Sequence, residues 1–216
     1  EQGGTIIDVG GCSTRPGATQ VSETEEMERL RFALDIVRRE LPYTVLSVDT
    51  FRPDVARMAV EEFGADIIND VSEGNAEMYR MVARLRVPYI LMSVQPNLHD
   101  MLMHFSKEVQ QLRDFGAKDI ILDPGFGFGK TLEQNYQLMN ELDRLSVMEL
   151  PLLVGISRKS MIYKQLGCTP KEALNGTTAL NTIALMKGAS ILRVHDVKEA
   201  VECVKIVKSI NCQMVK

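Results

Sequence analysis

Seven short runs of Ile, Val and Leu recur along the chain: TIIDVGG, TVLSVDT, DIINDV, PYILMSV, DIILDPG, PLLVGIS and SILRVHD. None alternates strictly with polar residues, which is how strands buried on both faces of a parallel sheet read. Between the runs the period becomes helical. In SETEEMERLRFALDIVRREL, Met27, Leu30, Leu34 and Val37 recur every three or four positions, and Ser22 precedes Glu25 as in a capping box. RPDVARMAVEEFGA and FSKEVQQLRDFGA predict helices that stop at Gly64 and Gly116. TTALNTIALMKGA and VKEAVECVKIVKSI predict two more. Strand and helix alternating throughout mean an α/β protein, and right-handed crossovers leave a barrel or an open doubly wound sheet.

Polar residues placed on this rhythm decide between the two. Asp8, Asp49, Asn69, Met92 with Ser93, Asp123, Ser157-Arg158-Lys159, and Arg193 with His195 all fall at or just beyond the C-terminal end of a run. An open sheet gathers its ligand groups at one switch point, whereas a barrel lets every strand feed one mouth. Any one of these residues serves equally well as a cap for the following helix. Seven polar ends in seven runs favour a TIM-type (β/α)8 barrel. No linker or low-complexity stretch interrupts it, so residues 1–216 are expected to be a single domain.

Composition narrows the partners. The 216 residues are 45% hydrophobic and 25% charged with a net charge of −4, so no basic field awaits nucleic acid or a membrane surface. No apolar run approaches the ~20 residues of a membrane span. Cys12, Cys168, Cys203 and Cys212 lack metal-like spacing and read as reduced thiols. With no basic-then-apolar leader, a cytoplasmic protein without nucleic-acid or membrane partners is expected.

The stretch LDPGFGFGKT imitates a phosphate-binding loop. That loop needs Gly four residues before Gly-Lys-Ser/Thr, where this chain has Pro124, which has no N–H to offer a phosphate. Asp123, just before the glycines, is the more informative residue. Asp49, Asn69 and Asp123 each follow an apolar strand, so they face a largely dry mouth where an unmatched charge is costly. A ligand edge with two adjacent N–H donors would pair with one carboxylate, and Asn69 offers a ring both donor and acceptor. A divalent-metal cage is the rival, weakened by the absence of clustered His or a third carboxylate.

Arg158, Lys159, Arg193 and His195 follow two successive strands and suit the phosphate sector of a barrel. Asp196 offers Arg158 or Arg193 a structural partner instead, and His195 also reads as a hydrogen-bonded core residue. In GGCSTRPGA, Gly10 and Gly11 allow close backbone approach, Ser13, Thr14 and Arg15 supply donors, and Pro16 stiffens the exit. Cys12 reads as a spectator.

In order, IIDVGGCSTRPGA, SVDT, IIND, LDPGFGFGK, LLVGISRKSMI and RVHDV resemble dihydropteroate synthase, the pterin-binding barrel enzyme of folate synthesis, from Thr5 to about Val197. The resemblance implies condensation of 6-hydroxymethyl-7,8-dihydropterin pyrophosphate with p-aminobenzoate. It assigns the pterin pyrophosphate to Thr14, Asp49, Asn69, Met92, Asp123, Lys159, Arg193 and His195, the last three also catalytic. Thr14, Arg15, Pro16, Phe128 and Ser160 would shape the p-aminobenzoate pocket. Sulfonamides as inhibitors and a homodimer are further implications. So is Mg2+, through an Asn in a first strand and loop expected upstream of Glu1. This chain then carries seven of eight barrel strands and no metal ligand of its own. Two rivals share the pterin set: a corrinoid-type methyltransferase, which has no need of SRKS beside RVHD, and a non-catalytic pterin binder. In many members a histidine follows the methionine where LMSVQPN has Ser93.

Overall fold

The computed structural model describes residues 2–13 and 21–214, with side chains through Ile210. All seven apolar runs form strands: β1 (Ile6–Gly10), β2 (Val45–Asp49), β3 (Ile67–Asp70), β4 (Tyr89–Met92), β5 (Ile120–Asp123), β6 (Leu153–Val154) and β7 (Ile191–Leu192). The helices are α1 (Glu23–Glu40), α2 (Pro53–Phe63), α3 (Ala76–Leu85), α4 (Leu98–Asp114), α5 (Leu132–Asn140), α6 (Ser160–Leu166), α7 (Leu174–Met186) and α8 (Val197–Met214). The chain divides into two compact units.

One unit comprises Thr5–Met92 and Lys107–Ile121. Its strands pair in parallel, with Gly10 opposite Asp49, Asp49 opposite Asn69, and Asn69 opposite Ile90. β5 follows β4 in the sheet order. The sheet is apolar because helices cover it: Leu46, Val48, Ile68 and Leu91 are buried with Leu30 and Leu34 of α1, Val55 and Ala59 of α2, and Val82 of α3. Ser22 caps α1 by accepting the Glu25 N–H at 3.2 Å, as expected. The reciprocal half of the box is absent, because the Glu25 carboxylate turns to Arg29 instead, at 2.5 Å. Gly64 ends α2 at φ 63°, and Gly116 follows α4 at φ 98°, both as anticipated.

The other unit comprises Glu1–Gly4, Ser93–Ser106 and Leu122–Lys216. β6 and β7 pair in parallel over two residues each, and Leu122 bridges to Leu152. Phe105, Phe126, Leu153, Val154, Ile156 and Ala184 are buried in its core. Three helices here and in the first unit were not singled out by periodicity: α3, α5 and α6, of 10, 9 and 7 residues. Two of them, α3 and α5, are recognisable by their N-caps. Asn75 accepts the Glu77 and Met78 N–H groups at 3.0 Å, and Thr131 with Gln134 makes a full capping box.

Candidate active site

In the first unit, Asp8 lies in the middle of β1 and not at its end, beside Ser47 in the middle of β2 and near Asn69 of β3. Asp8 accepts the Ser47 hydroxyl at 2.7 Å through one oxygen and the Asn69 amide at 3.0 Å through the other. Asn69 is fully buried, and its own side-chain oxygen has no hydrogen-bond partner. Leaving a buried acceptor unmade costs about 1–3 kcal/mol, so this atom is an open acceptor. Asp70 beside it is locked: the Ser72 N–H and hydroxyl bond one oxygen, and the Tyr89 hydroxyl bonds the other at 2.8 Å. Burial raises the Asp70 pKa against those hydrogen bonds. Asp49 ends β2, half-buried, and a Cβ on Gly10 would lie 3.3 Å from Asp49 Cβ, so glycine leaves this carboxylate its room. Met92, fully buried, closes β4.

In the second unit, the glycine loop after β5 builds a different kind of site. Asp123, 2% exposed, accepts the Gly125 N–H at 2.8 Å, which starts the turn. Gly125, Gly127 and Gly129 all have positive φ, of 64°, 80° and 62°. A Cβ on Gly127 would stand 3.1 Å from Lys159 Cδ, so the loop is glycine-rich to let that lysine lie across it. Lys130 donates to the carbonyls of Ser93, Gly125 and Phe128 at 3.1, 3.1 and 3.2 Å. The lysine that imitates a phosphate binder ties the loop to itself, and the following Thr131 caps α5.

Lys159 donates to the Phe126 carbonyl and stands 4.6 Å from the Phe128 ring centroid. The residue is half-buried, and burial desolvates its ammonium. That desolvation lowers its pKa to about 8; Asp123 opposes the shift, and Arg193 and Lys130 add to it. Arg193 lies against Gly155, where a Cβ would come 3.2 Å from its Nε. The His195 backbone N–H donates to Ser157 Oγ at 3.2 Å, and its ring Nδ1 lies 3.3 Å from the same oxygen. His195 is exposed, so it is not a core residue. Ser160 opens α6 directly after Lys159.

Arg158 departs from the four-cation patch considered from sequence. It holds Asp196 through Nε at 2.9 Å and Nη2 at 2.7 Å, and donates to the Lys171 carbonyl at 3.0 Å. Its backbone takes φ 53°, uncommon for a residue with a side chain, and its N–H is held by Thr177 Oγ1 at 3.1 Å. Arg158 is therefore a structural strut that turns the chain so that Lys159 faces the glycine loop. Among the described residues no group of three His, Cys, Asp or Glu could hold a metal ion. Thr14, Arg15 and Pro16 lie outside the described residues.

Residues 1–195 match the family model described as pterin binding enzyme. The chain belongs to the pterin binding enzyme family. A relative from this family, the dihydropteroate synthase of Escherichia coli K12, is 41% identical over 96% of this chain and 78% of its own length. Among solved structures, the dihydropteroate synthase of Clostridium difficile in the presence of pteroic acid matches at TM-score 0.92 and 34% identity, covering 97% of this chain and 83% of that one. The Yersinia pestis enzyme in a sulfonamide drug complex matches at TM-score 0.92 and 38% identity, covering 98% and 82%. The fold class expected from the seven polar strand ends, the TIM-type barrel, is the one this family uses, with seven of its strands among the described residues.

Two contributions to the site were not foreseen from sequence as such. Asp8 is an orienting carboxylate that fixes the Asn69 amide, and Lys130 secures the loop. The only signal for Asp8 was its place in the first polar-ended run.

Proposed function

We propose that the chain is a dihydropteroate synthase. It joins 6-hydroxymethyl-7,8-dihydropterin pyrophosphate to p-aminobenzoate, giving 7,8-dihydropteroate and pyrophosphate. The observation that carries this reading is the arrangement around the glycine loop. A buried carboxylate, Asp123, and an enclosed ammonium, Lys159, stand beside the Phe128 ring, with Arg193 close enough to act on the lysine charge. An amino-pyrimidine edge offers two N–H donors to Asp123 and a carbonyl and ring nitrogen to Lys159. Asp49 and the unpartnered Asn69 oxygen are assigned the other ring nitrogens, and Met92 an apolar contact with the ring. Phe128 and Ser160 flank Lys159 and are assigned to p-aminobenzoate, with Thr14, Arg15 and Pro16.

The chemistry asks little of a base. The pterin methylene loses its C–O bond to pyrophosphate, which leaves with the bonding pair, while the electron-rich ring supports the positive carbon. The aromatic amine then forms the C–N bond and releases a proton to solvent. Rate therefore comes from neutralising the leaving group, assigned to Arg193 and His195, and from orienting the amine. Mg2+ is expected to serve the pyrophosphate. The described residues supply no ligand set for it, so no step here depends on a metal held by them. Pyrophosphate release that requires both substrates tests the reading, and separates it from methyl transfer and from binding without turnover.

A homodimer fits the exposed apolar side chains Ile183 and Met186 on α7 and Ile206 and Ile210 on α8, and sedimentation tests it. A cytoplasmic location remains part of the proposal. No described helix is long and apolar enough to cross a membrane.

A further inference from the structure

Glu26 is an acidic residue on α1 with no exposure at all. A carboxylate survives such burial only when its oxygens are fully matched. Thr50 Oγ1 donates to one of them at 2.8 Å, and Arg52 Nη1 donates to the other. Arg52 also donates to the Val21 carbonyl at 2.7 Å and lies 5.0 Å from the Phe51 ring centroid. Thr50 directly follows Asp49. Its N–H donates to the Asn69 carbonyl at 3.0 Å, and its hydroxyl accepts the Arg52 N–H at 3.2 Å. On the other side, a Cβ on Gly11 would come 3.0 Å from Glu26 Cγ, and Gly10 packs against Asp49. Both oxygens of Glu26 are thus committed to Thr50 and Arg52, two of the three residues that follow Asp49, and its stem lies against Gly11.

We propose that Glu26, acting through Thr50 and Arg52, is a positioning residue for Asp49 and so sets the affinity for the pterin. Bulk packing alone does not call for it, since apolar groups of similar volume often replace a buried ion pair without loss. What an apolar residue would not supply is two directed hydrogen bonds onto the turn after β2. The inference rests on the reading of Asp49 as a pterin-binding carboxylate.

The test is a double-mutant cycle in the full-length protein, with Glu26→Gln and Asp49→Ala made singly and together. Calorimetric titration with the pterin pyrophosphate reads affinity, and circular dichroism confirms folding. With Asp49 present, Glu26→Gln is expected to weaken binding roughly tenfold, as coupled neighbours do. With Asp49→Ala it should weaken it no further. Equal weakening in both backgrounds, or none in either, overturns the proposal. An Asp49→Ala variant that binds the pterin as well as the parent would instead sink the role given to Asp49, and the positioning role with it. If Glu26→Gln does not fold, Arg52→Lys, which keeps one charged donor to Glu26, runs the same cycle with the same outcomes.

Discussion

Lys159 holds its ammonium 4.6 Å from the centroid of the Phe128 ring, in reach of the Phe126 carbonyl. Enclosure there lowers its pKa from 10.5 to about 8. The native state then releases this proton more readily than the unfolded chain does. Between pH about 8 and 10.5 the unfolded state binds more protons, so this lysine's contribution to stability improves as pH rises through that window. Under the proposed role, function runs the other way, because a lysine assigned to the pterin carbonyl acts in its charged form. The pH profile of kcat/KM for the pterin pyrophosphate should fall above about 8, and Lys159→Met should erase that limb. A limb unchanged in Lys159→Met would assign the titration elsewhere.

Asp123→Asn should leave the fold intact, because an amide oxygen can still accept the Gly125 N–H. It places an N–H against a two-donor ligand edge, so pterin affinity should drop by about a hundredfold, or ~3 kcal/mol. The same change removes the carboxylate that raises the Lys159 pKa, so the lysine should titrate lower still. Calorimetry giving the parental dissociation constant would remove Asp123 from the site.

Lys130→Met should destabilise the protein by about 2 kcal/mol, since three loop carbonyls lose a charged donor. Nucleotides should neither bind nor be hydrolysed before or after the change. Denaturant midpoints check the first expectation, and an unshifted midpoint would show the three hydrogen bonds to be dispensable.

The strands and their polar ends were legible because a strand covered on both faces must be apolar until it reaches the mouth, as in DIILDPG. Asp123, Asn69 and Asp49 could be picked out on that ground. Lys130 could not, because its role depends on carbonyls of Ser93, Gly125 and Phe128 brought together by the turn. Glu26 is one of several acidic residues in SETEEMERL, and nothing local distinguishes it; it is buried with Arg52, 26 positions on, donating to it. Arg158 and Lys159 are adjacent and chemically alike, and the turn at Arg158, with φ 53°, sends one to Asp196 and the other to the glycine loop.

Sulfonamides, which mimic the benzoate, should compete with p-aminobenzoate and not with the pterin, because Phe128 and Ser160, assigned to the benzoate, flank Lys159, which is assigned to the pterin. Inhibition kinetics distinguish the two patterns. Competition against the pterin pyrophosphate would mean that the two pockets have been assigned the wrong way round.

The most direct measurement is pyrophosphate release by the full-length protein, with Mg2+ present and the two substrates added singly and together. Release matched by dihydropteroate formation, seen only when both substrates are present and lost in Asp123→Asn, is the expected result. No release with both substrates present, or an Asp123→Asn variant that turns over at the parental rate, would contradict the assignment of this chain as a dihydropteroate synthase built around Asp123 and Lys159.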